Sequence, residues 1–318
     1  MRITAYTKQL VRKVIPLKIL VPCFNLLVIA KARKQGFVIA SNGTSYSIRR
    51  NRQELRLSKR HSLYLSDTVE NFDCYYSGVT PVAIGEIDLV DYSTPRWHQV
   101  IGFDDFPIYF PAHAEPVIMT NQYIEFAQFK RGAIAMDLGA YSGLTSILFD
   151  KAIPDDGRVI ALEADPGNIF ACEENLALYE RFSGRKIQLI KAAIWKDDKG
   201  VAFSSESTMG SSVVDIVGLE RGKNVTVASV TLLQIAQNLA LPHIDFVKCD
   251  IEGGETEIFN CPEFFARYRP RIMIECHMVN SGSASTAPGC IETLSAFGYQ
   301  CTLIEQIGYP LPLLACVP

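Results

Sequence analysis

From residue 133 onward, short apolar segments alternate with helical ones, and this order constrains the fold more than any other feature of the chain. The short segments are AIAMDLG (133–139), RVIALEA (158–164), IQLIKAA (187–193), HIDFVKCD (243–250), RIMIECH (271–277) and QCTLIE (300–305). Each reads as a buried strand. LTSILFDKA, PGNIFACEENLALYE, TLLQIAQNLA, ETEIFN and CIETLSAFG read as the helices that separate most of them. Thr231 with Gln234 fits a capping box, and Gly298 fits a helix C-terminus. Such a βαβα order predicts an α/β fold, a mostly parallel, doubly wound sheet with helices on both faces. Between Trp195 and Val230 the helical signal lapses, and VAFSS and VTVASV predict a small β excursion.

The residues before 133 follow another pattern. The spacing predicts a hairpin at GFVIASNGTSYSIRR with Asn42-Gly43 as its turn. A helical stretch follows, in which Leu65, Val69, Phe72 and Tyr76 recur at three- and four-residue steps. IGEIDLVDYS and GFDDFPIYF read as strands joined at Ser93-Thr94-Pro95, and residues 115–130 as a helix with Pro116 near its start. With 318 residues and 48% hydrophobic content the chain can bury a large core. We divide it into an arm (1–35), an N-terminal α+β cap (36–130) and the doubly wound domain (131–318).

Charge separates these parts. Residues 1–60 hold 14 Lys and Arg against one acid, Glu54, a net +13. The rest holds 17 against 33, a net −16. The arm also contains VIPLKILVPCFNLLVIA (14–30), interrupted by Lys18, Asn25 and two prolines. A spanning helix needs about 20 mostly apolar residues, so this stretch is expected to lie on a membrane surface or to pack against the body. Peripheral contact of residues 1–34 with the inner face of a membrane is the sharper expectation. The arm lacks interleaved aromatics, and no nucleic-acid partner is expected. Nine scattered cysteines without a C-x-x-C pair read as reduced thiols of a cytoplasmic protein. The sequence carries no signal of oligomeric state.

In an open parallel sheet, ligands bind beyond the carboxyl ends of the strands. The first strand runs into Asp137-Leu138-Gly139-Ala140-Tyr141-Ser142-Gly143, the second into Glu163-Ala164-Asp165, the fourth into Asp250-Ile251-Glu252-Gly253-Gly254, and the fifth into Glu275-Cys276-His277. The first turn is not G-x-G-x-x-G, and Asp137 would repel a pyrophosphate, which argues against a nicotinamide oxidoreductase. An anion there suits a cationic ligand end, such as the amino group of a methionine moiety. Glu163, 20 residues after Gly143, is placed where an acid can accept the hydroxyls of a ribose. A nucleoside with a cationic tail and no phosphate is S-adenosylmethionine.

The combination MDLGAYSGLTS, GRVIALEADPGN with Asn175, DFVKCDIEGGE and RPRIMIECH resembles the FkbM-type methyltransferases, most clearly from about Lys130 to His277. The resemblance implies a Rossmann-like class I methyltransferase fold and S-adenosylmethionine as cofactor. It implies methyl transfer to a hydroxyl of a sugar or natural-product acceptor, and the basic, apolar arm alone adds a glycolipid to these. Asp137, Gly139, Ala140, Tyr141 and Gly143 would line the methionine and ribose side, Glu163 would hold the ribose, and Asp250 would sit beside the reactive end. The third strand ends in Lys191-Ala192-Ala193 with no acid for the adenine amino group. Backbone contacts at Ala192 and Ala193, or the Ser211-Ser212 loop, are left to serve.

A hydroxyl nucleophile needs a proton acceptor, and Asp250 and His277 are the two expected catalytic residues. Histidine has the better pKa near neutrality. Lys248, Glu252, Trp97 and His98 are weaker substrate candidates, while His61, His113 and His243 are read as structural. Asp250, Glu252 and Glu275 would suit a hard cation. However, Glu255 and Glu257 read as the start of a helix, favoured there by its dipole, and no metal is expected. Transfer to nitrogen or a carboxyl group, or a non-catalytic S-adenosylmethionine-binding or membrane-associated scaffold, are the alternatives.

Overall fold

Seven strands form the central sheet in a computed structural model that describes residues 17–213, 222–279, 284–306 and 311–318. They are β1 (Ile134–Leu138), β2 (Arg158–Glu163), β3 (Gln188–Lys191), β4 (Phe246–Cys249), β5 (Arg271–Glu275), β6 (Gln300–Ile304) and β7 (Leu313–Val317). Their spatial order is β3-β2-β1-β4-β5-β7-β6. The pairs β3/β2, β2/β1, β1/β4 and β4/β5 are parallel. β7 runs antiparallel between β5 and β6. The order reverses between β1 and β4, the kind of switch point beyond which ligands bind in open α/β sheets.

The sequence explains why β1 and β4 are central. Every residue of IAMDL and of FVKC is buried, as expected of strands covered on both faces. One face packs Met136, Leu138, Val247, Ile272 and Ile274 against Leu232, Ile235, Phe264 and Leu294. Elsewhere Phe246 meets Phe149 with ring centres 5.6 Å apart, and Phe129 meets both. The helices are α1 (Val117–Ala127), α2 (Leu144–Ala152), α3 (Pro166–Ser183), α4 (Leu232–Asn238), α5 (Glu255–Ile258), α6 (Pro262–Arg267) and α7 (Ala287–Ala296). Asp165 caps α3 by accepting from the Gly167 and Asn168 N–H groups, and Gly184 closes it in the left-handed region. Thr231 and Gln234 make both bonds of the expected capping box on α4.

The chain divides into two compact units, one running to Pro107 with Ala112–Pro116, the other comprising Ile108–Pro111 and Val117–Pro318. The first contains a five-stranded sheet in the order Val38–Ser41, Ser45–Arg50, Gln53–Ser58, Ile87–Tyr92, Val82–Ile84. Its first hairpin turns at Asn42, whose Oδ1 accepts from the N–H groups of Thr44 and Ser45 at 2.9 and 2.8 Å. In the same unit the helix Leu17–Lys34 buries Asn25, Val28 and Ala32. Asn25 donates to the Ser62 carbonyl at 3.0 Å, and Lys31 pairs with Glu70 at 3.1 Å. Phe24, Leu26 and Leu27 stay 52%, 67% and 70% exposed. The helix therefore both packs on its unit and shows an apolar face. Among the described residues no helix is long and apolar enough to cross a membrane. Residues 1–16 of the arm lie outside the described residues.

Three features depart from the sequence reading. β7 and the strand Gln53–Ser58 were not expected, and each takes one partner that is remote in sequence beside a nearby one. The helical stretch after Ser58 breaks into Lys59–Tyr64, Leu65–Glu70 and Phe72–Ser77, with a non-helical Asn71 between the last two. The third strand stops at Lys191. Ala193–Ile194 leaves the central sheet to pair with Ser229–Val230. The expected β excursion forms Val201–Ser205, paired with Ser212–Val213 and Lys223–Val227.

Candidate functional site

Parallel pairing brings Asp137, Glu163, Asp250 and Glu275 to one edge of the sheet. The turn after β1 requires glycine at its first position. Gly139 has φ 81°, and a Cβ there would lie 1.9 Å from the Asp250 carbonyl oxygen. The loops leaving β1 and β4 can approach this closely only without a side chain. Asn175 fixes the other end of the turn. Its amide donates to the Ser142 carbonyl at 2.8 Å and to the Tyr109 carbonyl at 2.9 Å, and it accepts from the Tyr109 N–H at 2.8 Å. Phe110 stacks on Tyr141. Asn175 belongs to the motif named above, but its role as a clamp depends on contacts 33 and 66 residues away.

Glu163 is buried at the end of β2. One oxygen accepts from the N–H groups of Ala164 and Asp165, and the other from the Tyr141 N–H, all at 2.8 Å. Burial pushes its pKa up to about 7, against the three N–H donors that lower it. A carboxylate offers about four acceptor positions, so the oxygen facing Tyr141 keeps one for a ligand hydroxyl. The donor set therefore fits a ribose. Asp165 alongside is fully buried and accepts from the Ser207 N–H and the Ser211 hydroxyl. This ties the loop containing Ser211 to the same edge.

Asp137 differs from expectation. It is not a free carboxylate awaiting a ligand cation. Ser146 donates to Oδ2 at 2.6 Å, and the Lys248 ammonium stands 3.3 Å from Oδ1. Register explains this, because β1 and β4 place Lys248 opposite Asp137. Lys248 is itself buried, donates to the Gly139 carbonyl at 2.7 Å, and lies 3.4 Å from Asp250 Oδ2. Burial raises the Asp137 pKa, opposed by Lys248 and Ser146. Asp137 and Lys248 thus form a buried ion pair beneath the turn, which also removes Lys248 from direct substrate contact. Ala193 changes as well. Its N–H is taken by the Ala228 carbonyl, so a backbone contact to adenine from this segment narrows to Ala192.

Asp250, Glu252, Glu255, Glu275 and His277 converge at the ends of β4 and β5. Glu255 Oε1 lies 2.8 Å from His277 Nδ1 and accepts the Gly253 N–H at 3.0 Å. Nε2 faces Glu252 Oε1 at 3.5 Å, Asp250 Oδ1 at 3.6 Å and Glu275 Oε1 at 3.6 Å. Glu252 takes the left-handed conformation, φ 57°, in the turn that directs it there. Burial disfavours the imidazolium, but Glu252 and Glu255 outweigh it and hold the His277 pKa well above the ordinary value. The ring meets Glu255 through Nδ1 and the other carboxylates through Nε2. Burial, with Asp250 next, pushes Glu275 up to about 8.

Glu255 and Glu257 both lie in the first turn of α5, as expected. Glu255 is in addition fully buried against His277, while Glu257 pairs with Lys196 at 2.7 Å on the surface. Trp97 and His98 belong to the first unit, in the strand Arg96–His98. His98 packs on Tyr92, and burial lowers its pKa to about 4.

A 3-2-1-4-5-7-6 sheet with an antiparallel seventh strand, and acids ending strands 1, 2, 4 and 5, defines a Rossmann-like class I methyltransferase that uses S-adenosylmethionine. Residues 137–301, just over half the chain, match the methyltransferase FkbM domain. The chain belongs to that family. No curated protein matches it. Similar solved structures include a precorrin-6y C5,15-methyltransferase from Geobacter metallireducens. It is 15% identical, covers 64% of this chain and 90% of that one, and has a TM-score of 0.41. A methyltransferase FkbM from Methylobacillus flagellatus is also 15% identical, with a TM-score of 0.41, over 62% of this chain and half of that one. An O-methyltransferase from Bacillus cereus in complex with SAH is 13% identical, with a TM-score of 0.35, over 63% and 79% of the two chains.

The Glu163 environment has a consequence for pH. Ribose hydroxyls donate, so the ionised carboxylate is the stronger acceptor. Affinity for S-adenosylhomocysteine is expected to fall as pH drops below about 7, by up to about tenfold per unit. Glu163→Gln should weaken binding and flatten the profile. Calorimetric titration between pH 5.5 and 8.5 measures both, and a wild-type affinity independent of pH would remove Glu163 from the ribose.

Proposed function

We propose that the protein methylates a hydroxyl oxygen of a sugar, glycolipid or natural-product acceptor. The observation that carries this reading is the concentration of carboxyl groups where β4 and β5 end, Asp250, Glu252, Glu255 and Glu275, around the Lys248 ammonium and the His277 ring. An anionic carboxyl acceptor would be repelled by this field, whereas a neutral hydroxyl enters it without charge repulsion. When bound, S-adenosylmethionine supplies a methyl group on a sulfonium, open to in-line displacement. The chain's own part is to hold the turn after β1 through Gly139 and Asn175, to orient the ribose through Glu163, and to take up the hydroxyl proton. Asp250 is the acceptor we assign. Its side chain is 27% exposed, while Glu255, closer to His277, is fully buried. Incubation with methyl-labelled S-adenosylmethionine and matched hydroxyl and amino versions of the same sugars tests the reading. We expect label on oxygen; label on nitrogen or on a carboxyl group would overturn it.

The helix Leu17–Lys34 favours an acceptor held at a membrane. Phe24, Leu26 and Leu27 are exposed on it, and its last turn carries Lys31, Arg33 and Lys34. An apolar face beside basic residues is the composition of an interfacial helix on anionic lipid. Co-sedimentation with phosphatidylglycerol vesicles, and not with phosphatidylcholine alone, is the expected result. The double variant Leu26→Asp, Leu27→Asp should reduce it several-fold, and equal binding to both vesicle types would remove the membrane from the account.

A further inference from the structure

We infer that Asp250, Glu252 and His277 bind a divalent cation of the manganese or magnesium type at the carboxyl ends of β4 and β5. The decisive contact is Glu255 with His277. Glu255 is fully buried on α5 and anchored by the Gly253 N–H, and an ionised carboxylate can only accept. The hydrogen shared at 2.8 Å is therefore on His277 Nδ1, and the ring is fixed with Nε2 pointing the other way. A carboxylate that orients a histidine through its second nitrogen is the usual support behind a metal-ligating imidazole.

Nε2 points into the group of carboxylates. His277 is only 6% exposed, and no hydrogen bond reaches Nε2. Oxygens of Glu252, Asp250 and Glu275 stand 3.5, 3.6 and 3.6 Å away. These separations are long for a charge-assisted hydrogen bond but near the spacing of atoms that share an ion. Two ligands each ~2.1 Å from one cation stand about 3.0–3.4 Å apart at angles from 90° to tetrahedral. The ligand atoms of Asp250, Glu252 and His277 all lie within 4.8 Å of one another. The Nε2 contacts need only a few tenths of an ångström of closure to reach coordination spacing, and rotation of the Asp250 and Glu252 side chains closes the rest.

The local charge agrees. Lys248 approaches Asp250 Oδ2, and this leaves Oδ1 directed at Nε2. Four carboxyl groups surround one imidazole, and a dication would favour their ionised forms. Oxygen ligands with one imidazole suit manganese or magnesium better than thiolate-seeking metals. The expectation of no metal rested on Glu255 and Glu257 as a helix start, and the buried contact of Glu255 with His277 gives the former a second part. An ion here would polarise an acceptor hydroxyl. That role rests on the proposed function, whereas the binding itself does not.

The test uses the full chain and Mn2+ alone, followed by the loss of the free-ion electron paramagnetic resonance signal. About one Mn2+ per chain is expected, with a Kd on the order of 10–100 µM. Glu252→Gln, which keeps the shape of a half-buried side chain, should weaken binding at least tenfold, and Asp250→Asn likewise. S-adenosylhomocysteine affinity, measured on the same samples, reports that the variants are folded. Binding of S-adenosylhomocysteine without Mn2+ binding at millimolar concentration would overturn the cation site and leave the methyltransferase reading intact. Unchanged Mn2+ affinity in both variants would also overturn it. Mn2+ binding by the wild type that is lost in variants melting at the wild-type temperature would uphold the site, whether or not the chain binds S-adenosylhomocysteine.

Discussion

Gly139→Ala is expected to abolish S-adenosylhomocysteine binding and to destabilise the protein by roughly 3–5 kcal/mol. Two independent causes combine. At φ 81° an alanine costs about 1–2 kcal/mol from its own backbone. The added Cβ would also lie 1.9 Å from the Asp250 carbonyl oxygen, a distance no relaxation of a side chain can relieve, because the atom it meets is backbone. Either the turn after β1 or the loop after β4 must move. Moving the turn would disturb the Lys248 bond to the Gly139 carbonyl and the neighbouring Tyr141 N–H bond to Glu163. Thermal melting and calorimetry read both effects. A variant that melts like wild type would show that the two loops do not approach as described.

Asp250→Asn is expected to lower kcat about 10²–10⁴-fold, the range for loss of a general base, while S-adenosylhomocysteine affinity changes only a few-fold. Asparagine keeps the shape of the side chain and removes the charge that faces Lys248 on one oxygen and His277 on the other. The separation of turnover from binding is the informative part. A structural failure of the loop would lower both together. Steady-state kinetics with the labelled acceptor, beside calorimetry, distinguishes the two, and a variant with wild-type kcat would remove Asp250 from proton transfer.

The sheet was legible because its parallel strands are buried on both faces, which writes them as short unbroken apolar runs. β7 was harder to read. LLACV is an apolar run at the end of the chain, and its position between β5 and β6 is settled by pairing with strands that begin 42 and 13 residues earlier. The candidate site was legible to the level of the edge. Parallel pairing sends every carboxyl end the same way, so Asp137, Glu163, Asp250 and Glu275 had to share it. Their partners were not legible. The pairing of Lys248 with Asp137 depends on which strand lies beside β1 and in what register. Burial of Glu255 depends on how α5 folds back on the end of β5, which brings it to His277 across 22 residues. Ala193 was misread because β3 ends two residues early, and its N–H goes to the excursion strand instead.

The central claim is that the edge formed by β1 and β2 binds S-adenosylmethionine through Glu163 and the turn after β1. Calorimetric titration of the full chain with S-adenosylhomocysteine, and separately with NAD, tests it most directly, with Glu163→Ala as the comparison. The account predicts one S-adenosylhomocysteine site, no NAD binding, and loss of at least about two orders of magnitude in affinity in the variant, as expected when a buried charged acceptor of a ribose hydroxyl is removed together with its hold on the Tyr141 N–H. NAD binding, or S-adenosylhomocysteine bound equally well by Glu163→Ala, would contradict it.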